Sequence, residues 1–345
     1  MKIYIAIVCI VFAISLISPI YTYLLYPVIL KFLKPKRFGF KEWSPSITVI
    51  KVGTCKNGDT KCEYEYFGNK LEVLTAKDYA ELNTCIQTAQ GEVLLFTGAD
   101  VEFSKNAIYS LIKKLSPKEV GAVCGQLRAY PDQNGAPKES LYWKYENLVK
   151  KLESNIGCLS GANQAIFAVK KALCPKFASN IINWDFYISM QIIQKGFAVL
   201  FDSQAVAFQP DSNNDDNEFY EHVKSGAGAY QSLAVFWRML LPRKGSFVHV
   251  SHRVMKWLVP FNMIFLLLSS ALLSVYSIWA FLFLLLQVAA YFVLLLYFIL
   301  FVKRNKSLSG IIGKMLSLAV YFISLNLAWF IGMFKIKKFT SNEQL

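Results

Sequence analysis

Acids are scarce in this chain of 345 residues, with 23 Asp and Glu against 37 Lys and Arg and a formal net charge of +14. Such an excess calls for an anionic partner. No basic stripe interleaved with aromatics and no nucleic-acid-binding motif is present, so nucleic acid is set aside in favour of membrane lipids and their anionic headgroups. Paired cysteines are lacking too. The seven (Cys9, Cys55, Cys62, Cys85, Cys124, Cys158 and Cys174) are odd in number and carry no metal-ligand spacing; Cys55 and Cys62, the closest pair, are a weak zinc signal at most. Free thiols in a reduced compartment are expected. Residues 257 to 302 contain no Asp, Glu, Lys, Arg or His, which removes the charged pathway that a transporter would need.

What the chain has instead is apolar sequence. Hydrophobic residues make up 54%, more than an ordinary soluble domain carries. Residues 1–30 form a first apolar segment, long enough to cross a bilayer core of about 30 Å. It is too long for a signal peptide and ends without a small-x-small cleavage site. A basic linker, 31–46, follows with Lys31, Lys34, Lys36, Arg37 and Lys41, and by the positive-inside rule places what comes next in the cytoplasm. Residues 236–256 mix aromatic and basic side chains in the manner of an interfacial amphipathic segment. Residues 257–302 suffice for a transmembrane hairpin. A last apolar stretch, 307–334, either crosses or is re-entrant, since the lysines behind it disfavour a fourth crossing. The expected location is the cytoplasmic membrane, multi-pass.

Between these segments, residues 47–235 read as an α/β domain. Short β-rich runs, "ITVI", "EVLLFT", "VGAVCGQL", "AIFAV" and "FAVLFD", alternate with stretches of helical period, "AKDYAELNTCIQTA", "NAIYSLIKKL" and "DFYISMQIIQKG". One mixed sheet flanked by helices is predicted. The run "LLFTGADVEF" ends its buried half on Asp100. In an open α/β sheet ligands bind beyond the carboxyl ends of strands, so Asp100 is placed to hold a metal. A cation that keeps several waters needs only one or two protein carboxylates. Equally, Asp100 or Ser104 could cap the helix that follows.

The runs "ELNTCIQTAQGEVLLFTGADVEFSKNAIYSLIKKL", "VGAVCGQLRAY", "ESLYWKYENLVKKLESNIGCLSGANQAIFAVKKAL" and "WDFYISMQIIQKGFAVLFDSQAVAFQ" resemble, in consistent order, the membrane-bound family 2 glycosyltransferases of the processive-synthase type. The tail "SHRVMKWLVPFNMI" resembles that family's juxtamembrane segment. The resemblance implies a GT-A-like nucleotide-sugar-binding domain plus transmembrane helices, and transfer of a sugar from a nucleotide-sugar donor to a glycan or lipid-linked acceptor, with Mg2+ or Mn2+ as cofactor. It implies three site residues. Asp100 is the retained second acid of the D-x-D motif, with Gly98 in place of the first, and would bind metal and donor. Asp185 falls on the catalytic base and, in a helix's first turn, should ionise easily. Lys224 is the remaining cation of the Q-x-x-R-W motif and would meet the donor's phosphate as a point charge.

The front of the domain departs from the family. "SPSITVIKVGTCKNGDTKCEYEYFGNKLEVL" is short by about one strand-helix unit, and Asp59 alone echoes the acidic turn that holds the nucleoside there. Two functions follow: an active inverting glycosyltransferase of cell-surface or extracellular polysaccharide synthesis, or a catalytically inactive relative that partners an active synthase. A homo-oligomer or partner synthase subunit is expected with either.

Overall fold

The computed structural model describes residues 2–53, 65–66, 69–130, 141–176, 180–209, 215–242, 245–304, 308 and 310–341. Asp59, Cys55, Cys62 and most of the loop before residue 215 lie outside them.

The chain opens with two helices, α1 (Lys2–Ile20) and α2 (Tyr26–Phe32), joined through a wide π-helical turn at Tyr21–Leu25. Pro27 has no N–H to give the carbonyl of Tyr23 one turn earlier. The Tyr145 hydroxyl supplies that bond at 3.1 Å, so a proline inside an apolar helix becomes an attachment point for the domain behind it.

Seven strands form the main sheet: β1 (Ile47–Val52), β4 (Glu72–Ala76), β5 (Val93–Gly98), β6 (Glu102–Phe103), β7 (Val120–Ala129), β8 (Phe167–Lys170) and β9 (Ala198–Gln209). Their order is β4-β1-β5-β8-β7-β9-β6, with β8 antiparallel to both neighbours and β6 antiparallel to β9. A two-stranded hairpin, β2 (Glu65–Tyr66) with β3 (Asn69–Lys70), stands apart. All five β-rich runs of the sequence are strands here. Continuous apolar runs mark them because both faces are covered. Ile50, Leu94, Phe96, Cys124 and Phe167 point to one core, and Val49, Leu95, Val123, Ala168 and Leu200 to the other.

Helices α3 (Tyr79–Thr88), α4 (Ala107–Leu115), α5 (Leu141–Asn155) and α6 (Trp184–Gln194) cover the sheet, and α7 (Asp215–Val235) packs beyond it on the helix Gly310–Phe334. Asp78 caps α3 by accepting the Glu81 N–H at 2.7 Å, and the Glu81 carboxylate reaches back to the Lys77 N–H. Helix α6 closes at Gly196, whose φ of 94° is costly for any residue with a side chain. The remaining helices are α8 (Ser246–Val248), α9 (Met255–Ser274), α10 (Ile278–Leu300), α11 (Gly310–Phe334) and α12 (Ile336–Ser341), with α8 running into α9 through a π-helical turn, His249–Val254.

Four helical stretches among the described residues are long and apolar enough to cross a membrane: Lys2–Phe32, Ser246–Ser274, Ile278–Leu300 and Gly310–Phe334. The first two pair antiparallel, since Tyr21 meets Ser251 while Ser18 meets Met255 and Asn262. Helix α11 is unbroken and packs against α7 through small residues. A Cβ at Gly226 would lie 2.6 Å from the Trp329 backbone, and one at Gly332 2.6 Å from the Ala227 nitrogen. Gly226 and Gly332 thus serve close helix packing.

The segment 236–256 divides. Trp237, Leu240 and Leu241 are exposed, whereas His249, His252 and Lys256 point inward and are buried. Lys256 pairs with Glu146 of α5, donates to the Tyr142 hydroxyl at 3.1 Å and lies over the Trp329 ring. Burial alone would raise the Glu146 pKa; Lys256, then His252 and Arg253, outweigh it and hold the carboxyl below its usual range. Removing one member of such a pair strands the other charge. Lys256→Met should therefore cost about 3–5 kcal/mol, and the double variant Glu146→Gln/Lys256→Met markedly less. Unfolding of the purified chain in mild detergent, followed by tryptophan fluorescence, checks this; equal losses would show that the pair contributes packing alone.

Candidate active site

Strand β5 sets the position of Asp100. Its backbone leaves the sheet after Gly98, the Ala99 N–H donates to the Val52 carbonyl at 3.2 Å, and Asp100 sits half-buried in the turn beyond the carboxyl end of the strand. The strand β6 separates it from α4, whose N-cap is Asn106 and has no side-chain capping bond. Asp100 is therefore not the cap of that helix.

Asp185 lies at the same edge of the sheet. The antiparallel register sets Phe167 of β8 opposite Phe96 of β5, so the residues just before β8 continue past the end of β5. One of them, Gln164, hydrogen bonds to the Asp185 carboxylate. Trp184, beside it, packs on Phe96 with ring centroids 5.1 Å apart. These contacts pin the first turn of α6 to the strand that carries Asp100.

The loop 158–166 that delivers Gln164 is rigidly tied. Asn163 donates from its side chain to the Gly125 carbonyl at 2.9 Å and accepts from the backbone N–H groups of Ala165 and Ile166, both at 3.1 Å. The Ser160 N–H and hydroxyl both bond to the buried Glu153 carboxylate. The Ser160 hydroxyl also accepts from Arg253 Nε at 2.9 Å, and the guanidinium lies over Gly161, where a Cβ would oblige it to shift.

Burial is the largest influence on Asp185 and raises its pKa above the ordinary aspartate value. The Phe186 N–H, the Gln164 side chain, its own N–H and the Lys150 charge oppose this without cancelling it. The expectation of easy ionisation from the helix terminus alone is thus corrected: desolvation wins over the first-turn dipole. A carboxylate held close to its proton is a better base than an exposed one. The neighbouring thiol has no such use, because burial pushes Cys124 up to about 11.

Lys224 is half-buried on α7. Asn183, two residues before Asp185, donates to the Ser225 carbonyl at 3.1 Å and abuts Gly228, which fixes the Lys224 turn of α7 against the start of α6. The two carboxylates thus share one edge of the sheet, and the lysine's helix is tied to that edge. Sequence reasoning missed Gln164, Lys150 and Arg253. The signal for Lys150 was Glu146, Lys150 and Glu153 at i, i+4, i+7 of α5, a charged stripe that normally faces water and here is wholly buried.

Residues 79–169 match the family model described as Glycosyl transferase family 2. No curated protein matches the chain by sequence. Among solved structures the chain is similar to the mannosyltransferase PcManGT from Pyrobaculum calidifontis, in complex with GDP-Man and Mn2+, at 16% identity over 94% of this chain and 99% of that one, with a TM-score of 0.68. It also overlaps GalNAc-T7 with UDP, GalNAc and Mn2+ at 13% identity, over 50% of this chain and 45% of that one, with a TM-score of 0.35. The fold is GT-A-like, a mixed sheet flanked by helices with four helices of membrane-spanning length, as the sequence led one to expect.

A buried acid with a raised pKa opposes folding once it must ionise. For Asp185 the folded state holds the proton more tightly than the unfolded chain, so its stabilising contribution is complete below the unfolded value, about 3.9, and is lost as pH rises through the folded one. Asp185→Asn should accordingly raise the midpoint of thermal unfolding by a few degrees at pH 7.5, with the gain vanishing near pH 4. A variant less stable than wild type at both pH values would contradict this.

Proposed function

We propose that this chain is a membrane-anchored inverting glycosyltransferase that moves a sugar from a nucleotide-sugar donor to a glycan or lipid-linked acceptor, in cell-surface or extracellular polysaccharide synthesis. The observation that carries the reading is Asp185: a desolvated carboxylate, oriented by Gln164, at the sheet edge that also presents Asp100. In the proposed step the acceptor hydroxyl oxygen attacks the anomeric carbon as the carbon–oxygen bond to the diphosphate breaks. The hydroxyl proton passes to Asp185, and the nucleoside diphosphate leaves with the bonding electrons. Attack from the face opposite the leaving group inverts the anomeric centre.

Asp100 is a hard oxygen donor at a strand end, and no three His, Cys, Asp or Glu side chains among the described residues form a cage. That donor set fits Mg2+ or Mn2+, which take waters and diphosphate oxygens for the rest of their coordination. Bound there by Asp100, such a cation would neutralise the charge of the departing diphosphate. Lys224 adds a point charge toward the same phosphates. The positive flanks, Lys31 to Lys41 and Lys303 with Arg304, support a domain on the cytoplasmic side of the cytoplasmic membrane.

A second reading, a non-catalytic partner of an active synthase, draws on Gly98. A Cβ at this position would fall 2.9 Å from Val101 Cγ2, so the first acid of the family motif could not be restored without moving Val101.

Calorimetry of the detergent-purified chain with GDP and UDP, with and without Mn2+, beside turnover of GDP-mannose and UDP-sugars separates the two. GDP-mannose comes first because the similar PcManGT structure holds it. Asp185→Asn is expected to keep nucleotide binding and lose roughly 10²- to 10⁴-fold in turnover. Asp100→Asn is expected to lose the metal-dependent part of binding. Folded wild-type protein that binds no nucleotide would establish the partner reading.

A further inference from the structure

Helix α6 has two ends. Its first turn carries Asp185, and its last turn, about 15 Å away at 1.5 Å per residue, borders a separate cavity of about 300 Å³. Ile193 and Phe197 form the domain side of this cavity, Phe247 and Gly245 the side toward α9, and Lys34 and Lys36 its charged rim. None of the described residues that line it is acidic.

Its place in the fold is informative. Lys34 and Lys36 follow directly on the stretch Lys2–Phe32, and Phe247 begins the stretch Ser246–Ser274, both long and apolar enough to cross a membrane. The two run antiparallel, with Tyr26 packed against Phe247 at 5.9 Å between ring centroids, so the cavity lies where both meet the domain on one side. Around it Phe32, Leu33, Phe247 and Leu241 are exposed large apolar side chains. The backbone is built to keep the space open. Lys36 is fixed by its N–H bond to the Asn155 carbonyl at 2.8 Å, and its stem lies where a Cβ at Gly157 would be 3.3 Å away. Gly245 has φ +84°, and a side chain there would run into Ile193, Met239 and Cys158.

We propose that this cavity binds the headgroup of an anionic glycerophospholipid, its phosphate between Lys34 and Lys36 and its glycerol end against the apolar wall, beside the exposed aromatic and leucine side chains that meet the acyl chains. A volume of this size is within the range of small-ligand sites. Two ammonium groups with no carboxylate among the described lining residues favour a phosphate, and the adjoining apolar surface favours one attached to a lipid over one in free solution. The site is distinct from the Asp100–Asp185 edge and holds whether or not the chain catalyses sugar transfer.

The test uses the full chain in a neutral detergent, titrated with phosphatidylglycerol or phosphatidylcholine and read by native mass spectrometry. One lipid per chain is expected to be retained from phosphatidylglycerol and not from phosphatidylcholine. Lys34→Gln/Lys36→Gln should weaken that retention roughly tenfold. The control Lys31→Gln/Lys41→Gln removes the same charge from the same linker but outside the cavity, and should leave it within about twofold. All four lysines are exposed, so the variants should fold, which thermal unfolding without lipid verifies. Equal binding of the two lipids, an equal loss in the control, or displacement of the lipid by excess inorganic phosphate would each overturn the proposal.

Discussion

An ionised carboxylate cannot sit in a protein interior without partners, and Glu153 meets that constraint with groups from three other parts of the chain. The Tyr26 hydroxyl donates to it at 2.8 Å, His252 Nδ1 lies 2.6 Å away, and the Ser160 N–H reaches it at 2.9 Å. Tyr26 also stacks on His252, with ring centroids 5.5 Å apart. Burial would raise the Glu153 pKa, but His252, Arg253 and the Ser160 N–H outweigh it and keep the carboxyl below its ordinary value. Any rearrangement that separated these segments would leave a charge unpaired in a dry core, at a cost of several kcal/mol. Helix α2, α5, the loop 158–166 and the π-helical turn that leads into α9 are therefore locked together at one point.

Much of the site geometry depends on that point. The loop held by Glu153 through Ser160 is the one that presents Gln164 to Asp185, so the orientation of the proposed base is tied to two helices of membrane-spanning length. Arg253 and Lys256 follow His252 on the same helical run and repeat the coupling, one to Ser160 and Gly161, the other to Glu146. For the lipid-linked acceptor proposed above, the arrangement would fix the carboxylate relative to two helices of membrane-spanning length. The α7–α11 contact does the same from the other flank, because Gly226 and Gly332 let two backbones approach more closely than side chains would allow.

Local rules are broken where function is proposed. Asp185 is desolvated against its preference, and Glu146, Lys150 and Glu153 turn a charged stripe inward. Stability alone would favour the opposite choice for the first of these, and consistency elsewhere in the fold offsets it. The capping pair at Asp78 and Glu81, the alternation of sheet faces and the glycine stop of α6 all obey local expectation.

The sequence by itself determined the strands, because runs such as "EVLLFT" and "FAVLFD" are apolar on both faces and only a covered sheet accommodates that. It likewise determined the apolar stretches, by length, and it singled out Asp100 and Asp185 through motif resemblance. Tertiary structure decided the rest. That Asp100 stands free of helix capping depends on the short strand β6 interposed by pairing with β9, a long-range contact with no local signature. That burial holds the Asp185 proton more tightly depends on the packing around Trp184, and the Gln164 bond and the Lys150 charge that oppose it also arrive from distant positions. The segment 236–256 read as a headgroup layer because its composition mixes aromatic and basic side chains; His252 and Lys256 turn inward to meet Glu153 and Glu146, about a hundred residues away. Periodicity reports which residues share a face, but which face becomes the interior is set by the partners that the fold brings to it.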